Sequence, residues 1–270
     1  MISHSPRKRF GQNFLQDNQI IQCIINAISP TAAQHIVEIG PGKGALTEYL
    51  IKTNCQLDII ELDNDLVKIL IERWNSIKQL QIHNQDILQF DFNQLQPIPL
   101  RIIGNLPYNI STQLLFYLLD YVHLIQDMTF MLQKEVVERL IAVPASSDYG
   151  RLSVILQYHY QIYKLFDVEP EAFWPAPKVK SSIVQLIPYS TPPVKITNQQ
   201  HFSKIVTAAF SKRRKTLRNN LKNILNIEAI QKIGIDPQVR GETLTLVEFA
   251  KLSNQFTKFI ESDIKNSFQI

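Results

Sequence analysis

The chain has 270 residues, 45% hydrophobic and 19% charged, with a net charge of +4. That is enough apolar material for one large domain or two ordinary ones, and the mild basicity is a weak pointer to an anionic partner. Two cysteines without a CxxC spacing, six widely separated histidines and the lack of an 18-residue apolar run argue against a disulfide scaffold, a metal cluster, a membrane span and a secretory leader.

In chain order, the basic stretch "PRKRF" could mimic a localisation signal, but it runs straight into "GQNFLQDN", which reads as ordered protein. "DNQIIQCIINAI" has helical apolar spacing, with Asp17 or Asn18 as N-cap. "HIVEIG" is then a strand, "GALTEYLIK" a helix, "LDIIEL" a strand, and "DNDLVKILIERW" a helix opened by Asp63. "LQIHNQD" and "PLRIIGN" are the third and fourth strands. "STQLLFYLLDYV" is a helix capped by Ser111 or Thr112, "DMTFMLQ" a strand, and "KEVVERLIA" and "RLSVILQYHY" helices. "YKLFDVE" and "KSSIVQLIP" are closing strands. The alternation predicts an α/β fold, a mostly parallel Rossmann-like sheet with helices on both faces. Past the proline-rich "PYSTPPVKITNQ" everything reads helical, from "QHFSKIVTAAFSKRRKTLRNNLKNIL" to "TLVEFAKLSNQFTKFIES". This puts a boundary near residue 190, dividing 1–190 from a small all-helical 191–270.

"VEIGPGKGAL" turns from the first strand into a helix and satisfies G-x-G-x-x-A, with Gly40 and Gly42 as the first two glycines. Glu61 ends the second strand, where an acid would accept ribose hydroxyls. Alone, these features indicate an adenosine-containing cofactor, either a nicotinamide dinucleotide or S-adenosylmethionine. Asp86 ends the third strand at the same edge. It could accept the amino group of an adenine, or simply cap a turn.

The fourth strand ends in "NLPYNIS", Asn105 to Ser111. With a methyl donor in the crevice and adenine as acceptor, this motif has a use. The exocyclic N6 of adenine is a poor nucleophile because its lone pair is delocalised into the ring. Two acceptors on its N–H groups favour the pyramidal amine with a freed lone pair. The Asn105 side-chain oxygen can be one, and the carbonyl of Leu106 or Pro107, held by the fixed φ of proline, the other. Tyr108 gives a face for the base. No strong base is needed, since the proton leaves after the nitrogen has become cationic.

"GQNFL", "EIGPGKGALT", "IELD", "QD", "GNLPYNIS", "FMLQKEVVERL", "YGRLSV", "FWPAPKVKSSIV" and "KRRKTLRNNL" together resemble the small-subunit ribosomal RNA adenine dimethyltransferase family, over almost the whole chain. The resemblance implies methyl transfer from S-adenosylmethionine to N6 of two adjacent adenosines near the 3′ end of small-subunit rRNA, each methylated twice. It implies that Asn13 and Leu15 close over the cofactor. Gly40 would contact the cofactor's methionine part, Glu61 its ribose and Asp86 its adenine, and Asn105 would stand between cofactor and substrate. The family pattern F-x-P-x-P-K-V assigns the second face of the extruded base to Phe173, leaving Trp174 to pack. Residues 1–190 would then be the methyltransferase domain and 191–270 an RNA-binding domain. The expected partner is the immature 30S-type subunit, bound by a cytoplasmic monomer without metal or membrane.

Residues 212–222, "KRRKTLRNNLK", carry six basic residues and no acid. As a helix they would put Leu217, Leu221 and Ile224 on one face and Arg214, Arg218 and Lys222 on another. This predicts a phosphate-binding surface rather than a solvated face, to which Arg7, Lys8 and Arg9 could add. Three rival readings remain: a large-subunit rRNA methyltransferase of the antibiotic-resistance class, which shares the cofactor and NxPY motifs; a non-catalytic RNA-binding factor in ribosome assembly or transcription; and a nicotinamide dehydrogenase, which leaves the NLPY motif unexplained.

Overall fold

The structure, a computed structural model, describes Pro6 and residues 12–267, with side chains through residue 261. The chain forms two compact units, Met1–Val137 with Gln161–Pro188, and Glu138–Tyr160 with Tyr189–Ile270. Residues 138–160 thus pack with the C-terminal helices, whereas the sequence places them before a single boundary near 190. Tyr158 shows why, since its ring meets that of Phe202 at 5.0 Å.

In the first unit a two-residue strand, β1 (Phe14–Leu15), precedes helix α1 (Asn18–Ile28). Of the two candidate caps, Asp17 is used, accepting from the backbone N–H groups of Gln19 at 2.8 Å and Ile20 at 3.1 Å. Ile21, Ile24, Ile25 and Ile28 line its buried stripe. Strand β2 (His35–Ile39) is buried at every position, as a β-branched run covered on both faces should be. Helix α2 (Thr47–Ile51) is shorter than the sequence suggests. Gly40, Gly42 and Gly44 all have positive φ, so residues 41–46 turn rather than coil.

Strand β3 (Gln56–Glu61), helix α3 (Asn64–Trp74) capped by Asp63, and strands β4 (Leu80–Asn84) and β5 (Leu100–Asn105) follow. Helix α4 (Ser111–Tyr117) gives way to a 3₁₀ stretch over Leu118–Leu124. Neither expected cap is used there. Ile110 holds the cap position without a side-chain bond, and the Ser111 hydroxyl donates to the Tyr108 carbonyl oxygen at 3.1 Å. Strand β6 (Ile125–Gln133) leads into helix α5 (Lys134–Ile141) and, in the second unit, helix α6 (Arg151–His159). Strands β7 (Tyr160–Val168), β8 (Phe173–Trp174) and β9 (Ser181–Pro188) complete the sheets. β8 pairs antiparallel with β1, a pairing of two-residue strands too short to show periodicity in the sequence.

The main sheet has the order β4-β3-β2-β5-β6-β9-β7, parallel from β4 to β6 and antiparallel at β6–β9. The strand order reverses around β2, so a crevice opens outside the carboxyl ends of β2, β3 and β5. A Cβ on Gly104 would lie 2.5 Å from the Ile39 carbonyl oxygen, so only glycine lets β5 lie this close to β2. At the other end of the strands, Arg101 is buried against Asp127. Its Nε lies 3.0 and 3.1 Å from the two carboxylate oxygens, and its Nη1 donates to Gln34 Oε1 at 2.9 Å.

The second unit is helical beyond residue 190, with α7 (Gln199–Ala209), α8 (Leu217–Asn220), α9 (Ile227–Lys232) and α10 (Leu246–Ser267). The helical reading of residues 200–225 holds only for α7 and α8. α7 stops at Ala209, and the Asn220 side chain reaches back to the Ala209 carbonyl oxygen at 2.7 Å and that of Lys212 at 3.2 Å, closing the intervening loop. The first donors of α8 go to Val239 and Pro237 carbonyls. Phe210 stacks on Phe249 of α10, with centroids 5.7 Å apart.

Candidate active site

The crevice of the first unit is a cleft of about 1200 Å³, counting its open mouth, and nearly every residue the sequence nominated for cofactor or base lines it. Asn13, Leu15, Gly40, Gly42, Glu61, Asp86, Asn105, Pro107 and Tyr108 all do so. The roof comes from the segment before α1. Gln12 Nε2 donates to Asp63 Oδ2 at 3.0 Å, and the Asn13 carbonyl oxygen accepts from Asn105 Nδ2 at 3.1 Å. The Phe14 ring lies where a Cβ on Gly42 would meet it at 3.1 Å, so this glycine is needed for both its φ of +59° and its lack of a side chain.

Glu61 is fixed by backbone donors. Its Oε2 accepts from Gly42 N–H at 3.2 Å and its Oε1 from Asp63 N–H at 2.9 Å. Burial raises its pKa, against which these two bonds pull down. Each oxygen keeps a lone pair for a diol. Asp86 plays the bland role the sequence allowed, capping a 3₁₀ turn by accepting from Leu88 N–H at 3.0 Å, and it also borders the cleft beside Ile87. Two carboxylates with spare acceptor capacity beside a glycine turn suit an adenosine-bearing cation such as S-adenosylmethionine.

Glu38 was missed by the sequence reading, although an acid inside an apolar strand was a usable signal. It lines the cleft, is 2% exposed, and accepts from the Thr47 hydroxyl at 2.6 Å. Burial lifts its pKa from 4.5 to about 7, with the Thr47 bond opposing and the nearby Glu61 charge adding. Between those values the folded chain holds a proton the unfolded chain has released, so stability falls as pH rises from about 4.5 to 7. At about 1.4 kcal/mol per unit this amounts to about 3 kcal/mol. Glu38→Gln, which cannot titrate, should lose that part of the slope; urea midpoints at pH 5 and pH 7.5 for both proteins without cofactor measure it. Parallel profiles would place the proton elsewhere.

At the end of β5, the Asn105–Asn13 bond uses an amide hydrogen, so the Asn105 side-chain oxygen keeps its lone pairs as an acceptor. The Pro107 carbonyl accepts from Ile110 N–H at 3.2 Å in a turn. Of the two backbone candidates, Leu106 is therefore the less committed acceptor. Tyr108 is half-buried, and its hydroxyl lies 2.7 Å from the Ser181 hydroxyl, a fully buried group at the start of β9. Burial raises the Tyr108 pKa, so the phenol stays neutral. Nothing in "KSSIV" marked Ser181 as its anchor.

Phe173 is placed differently from the other nominated residues. It does not line the cleft; it is 4% exposed and belongs to the core cluster with Leu15, Ile24 and Ile183. Successive strand residues face opposite ways, so burying Phe173 turns Trp174 outward, and Trp174 is 48% exposed. The aromatic in the cleft wall besides Tyr108 is Phe14.

In the second unit the basic segment is a loop followed by a single helical turn, not the expected amphipathic helix. The sorting of side chains survives: Leu217 and Leu221 are fully buried, while Arg214, Arg218 and Lys222 are exposed. Arg213 is occupied, bonding Glu242 and the Ser147 carbonyl. Arg7, Lys8 and Arg9 lie outside the described residues.

Sheet order, glycine turn and strand-end acids together define a class I S-adenosylmethionine-dependent methyltransferase. The solved dimethyladenosine transferase of Plasmodium falciparum superposes with a TM-score of 0.79 at 25% identity, over 91% of this chain and 98% of that one. The 23S rRNA methyltransferase ErmE shares the fold, with a TM-score of 0.69 at 23% identity, 91% of this chain and 100% of that one. The sequence profile of the ribosomal RNA adenine dimethylase family matches residues 3–258, and the chain belongs to that family. Curated relatives include ribosomal RNA small subunit methyltransferase A of Pseudomonas putida, 50% identical over 93% of this chain and 95% of the relative. The protein of the same name from Saccharophagus degradans is 51% identical over 94% and 96%.

Proposed function

We propose that this protein transfers methyl groups from S-adenosylmethionine to N6 of two adjacent adenosines near the 3′ end of small-subunit rRNA, dimethylating each on the immature subunit. That substrate places it in the cytoplasm. The reading is carried by Asn105, whose amide oxygen is left as an acceptor at the mouth of the glycine turn by the bond from its nitrogen to Asn13. S-adenosylmethionine supplies a methyl group on a sulfonium centre. Gly40 and Gly42 let the backbone approach it, Glu61 takes the ribose hydroxyls, and Asp86 with the Ile87 N–H takes the adenine. Asn105 Oδ1 and the Leu106 carbonyl accept the two N6 hydrogens of the target base, while the Tyr108 ring, tethered by Ser181, holds its plane.

Incubating the protein with labelled S-adenosylmethionine and unmethylated small subunits, then mapping the modified nucleotides, tests this. Label on the adjacent adenosines is expected, and label only on large-subunit RNA would overturn it. Arg214 and Arg218 act on phosphates in this reading. Changing both to Gln should weaken RNA binding and flatten its salt dependence by about one counterion per lost contact, with methylation at saturating RNA preserved. An unchanged slope would make the segment a solvated surface.

A further inference from the structure

Trp174 and Lys43 have no part in the chemistry above, yet the fold brings them together at the cleft. Lys43 lines the cleft and is exposed, and its Nζ lies 4.9 Å from the Phe14 ring centroid and 5.5 Å from that of Trp174. It makes no ion pair among the described residues, whereas nearby Arg73 is taken by Glu48. Trp174 faces Phe14 across the β1–β8 pair. Phe14 follows Asn13, which is bonded to Asn105. An indole and an ammonium with no ion pair among the described residues therefore stand a short chain of contacts from the acceptor amide.

A ring face for a base and a cation for a phosphate are what single-stranded nucleic acid requires. A cofactor inside the cleft has no use for an indole 48% exposed outside it. Resting on the proposed rRNA substrate, we infer that Trp174 and Lys43 form a subsite for the second adenosine: Trp174 stacks on its base while Lys43 pairs with the phosphate joining it to the target. Stacking there holds the strand taut beside the extruded base and favours two adjacent purines.

The test uses unmethylated small subunits carrying either the natural second adenosine or an abasic residue in its place. Trp174→Ala should bind natural subunits about tenfold more weakly than wild type. On abasic subunits the two proteins should bind alike, and Trp174→Phe should restore most of the loss. Lys43→Gln should lower the salt slope of binding by about 0.7, the value for one phosphate of a single strand. Equal loss for Trp174→Ala on both subunits, or no loss on either, would overturn the stacking role. A Lys43→Gln variant with weakened S-adenosylmethionine binding and an unchanged salt slope would assign the lysine to the cofactor and overturn the phosphate role. Methylation of the natural subunits by wild type in the same preparation separates failure of this subsite from failure of the underlying reading.

Discussion

Asn105→Ala is expected to lower kcat by about 10²–10³-fold, the usual loss when one preorganised polar group aimed at developing charge is removed. In the proposed reaction the Asn105 oxygen accepts an N6 hydrogen, and that bond would strengthen as the nitrogen becomes cationic, so the loss should fall on the chemical step more than on RNA binding. Removing the amide also frees the Asn13 carbonyl and loosens the cofactor roof, so cofactor affinity should fall as well. Asn105→Asp separates the two effects. Aspartate keeps an acceptor oxygen in nearly the same place but cannot donate to Asn13 when ionised. It should retain more single-turnover activity than Ala and less than wild type. An Ala variant as fast as wild type, or Asp and Ala equally inactive while both bind cofactor and RNA, would reduce NLPY to a turn.

The largest expected effect on stability lies at the other end of the same strand. Asp127→Ala leaves the Arg101 guanidinium buried with only Gln34 for a partner, which should cost about 3–5 kcal/mol. A urea titration of each protein measures it. Replacing both residues, Arg101→Met with Asp127→Leu, should cost much less, because no uncompensated charge remains. A loss below about 1 kcal/mol for Asp127→Ala would mean that the pair behaves as a solvated one.

The elements most legible in the sequence are those whose local chemistry and long-range packing agree. Asp17 and Asp63 announce α1 and α3 and cap them by side-chain bonds. Gly40, Glu61 and Asn105 were readable because each stands at the carboxyl end of an apolar run, and the parallel sheet brings such ends to one edge; Asp86 follows the more polar β4 at the same edge. Pairings made by tertiary contact were not readable. Phe14 and Leu15 pair with residues far along the chain, and no pattern of two residues reveals that. In "FWPAP" the two aromatics are equivalent locally, and only the pairing with β1 decides which turns inward. The basic segment has helical spacing, but the Asn220 side chain donates to the Ala209 and Lys212 carbonyls across a loop, a contact that propensity does not register.

The missing side chain at Gly104 has an evolutionary consequence. The position lies one residue before Asn105, is buried, and does not line the cleft. Any side chain there would push against the Ile39 carbonyl oxygen and the Leu106 side chain, forcing β5 away from β2 and carrying Asn105 with it. In a saturation scan of the gene scored by methylation, codon 104 should therefore be as intolerant as codon 105, with alanine already harmful. A mutational map would mark it as part of the reaction centre, although its whole contribution is the side chain it lacks.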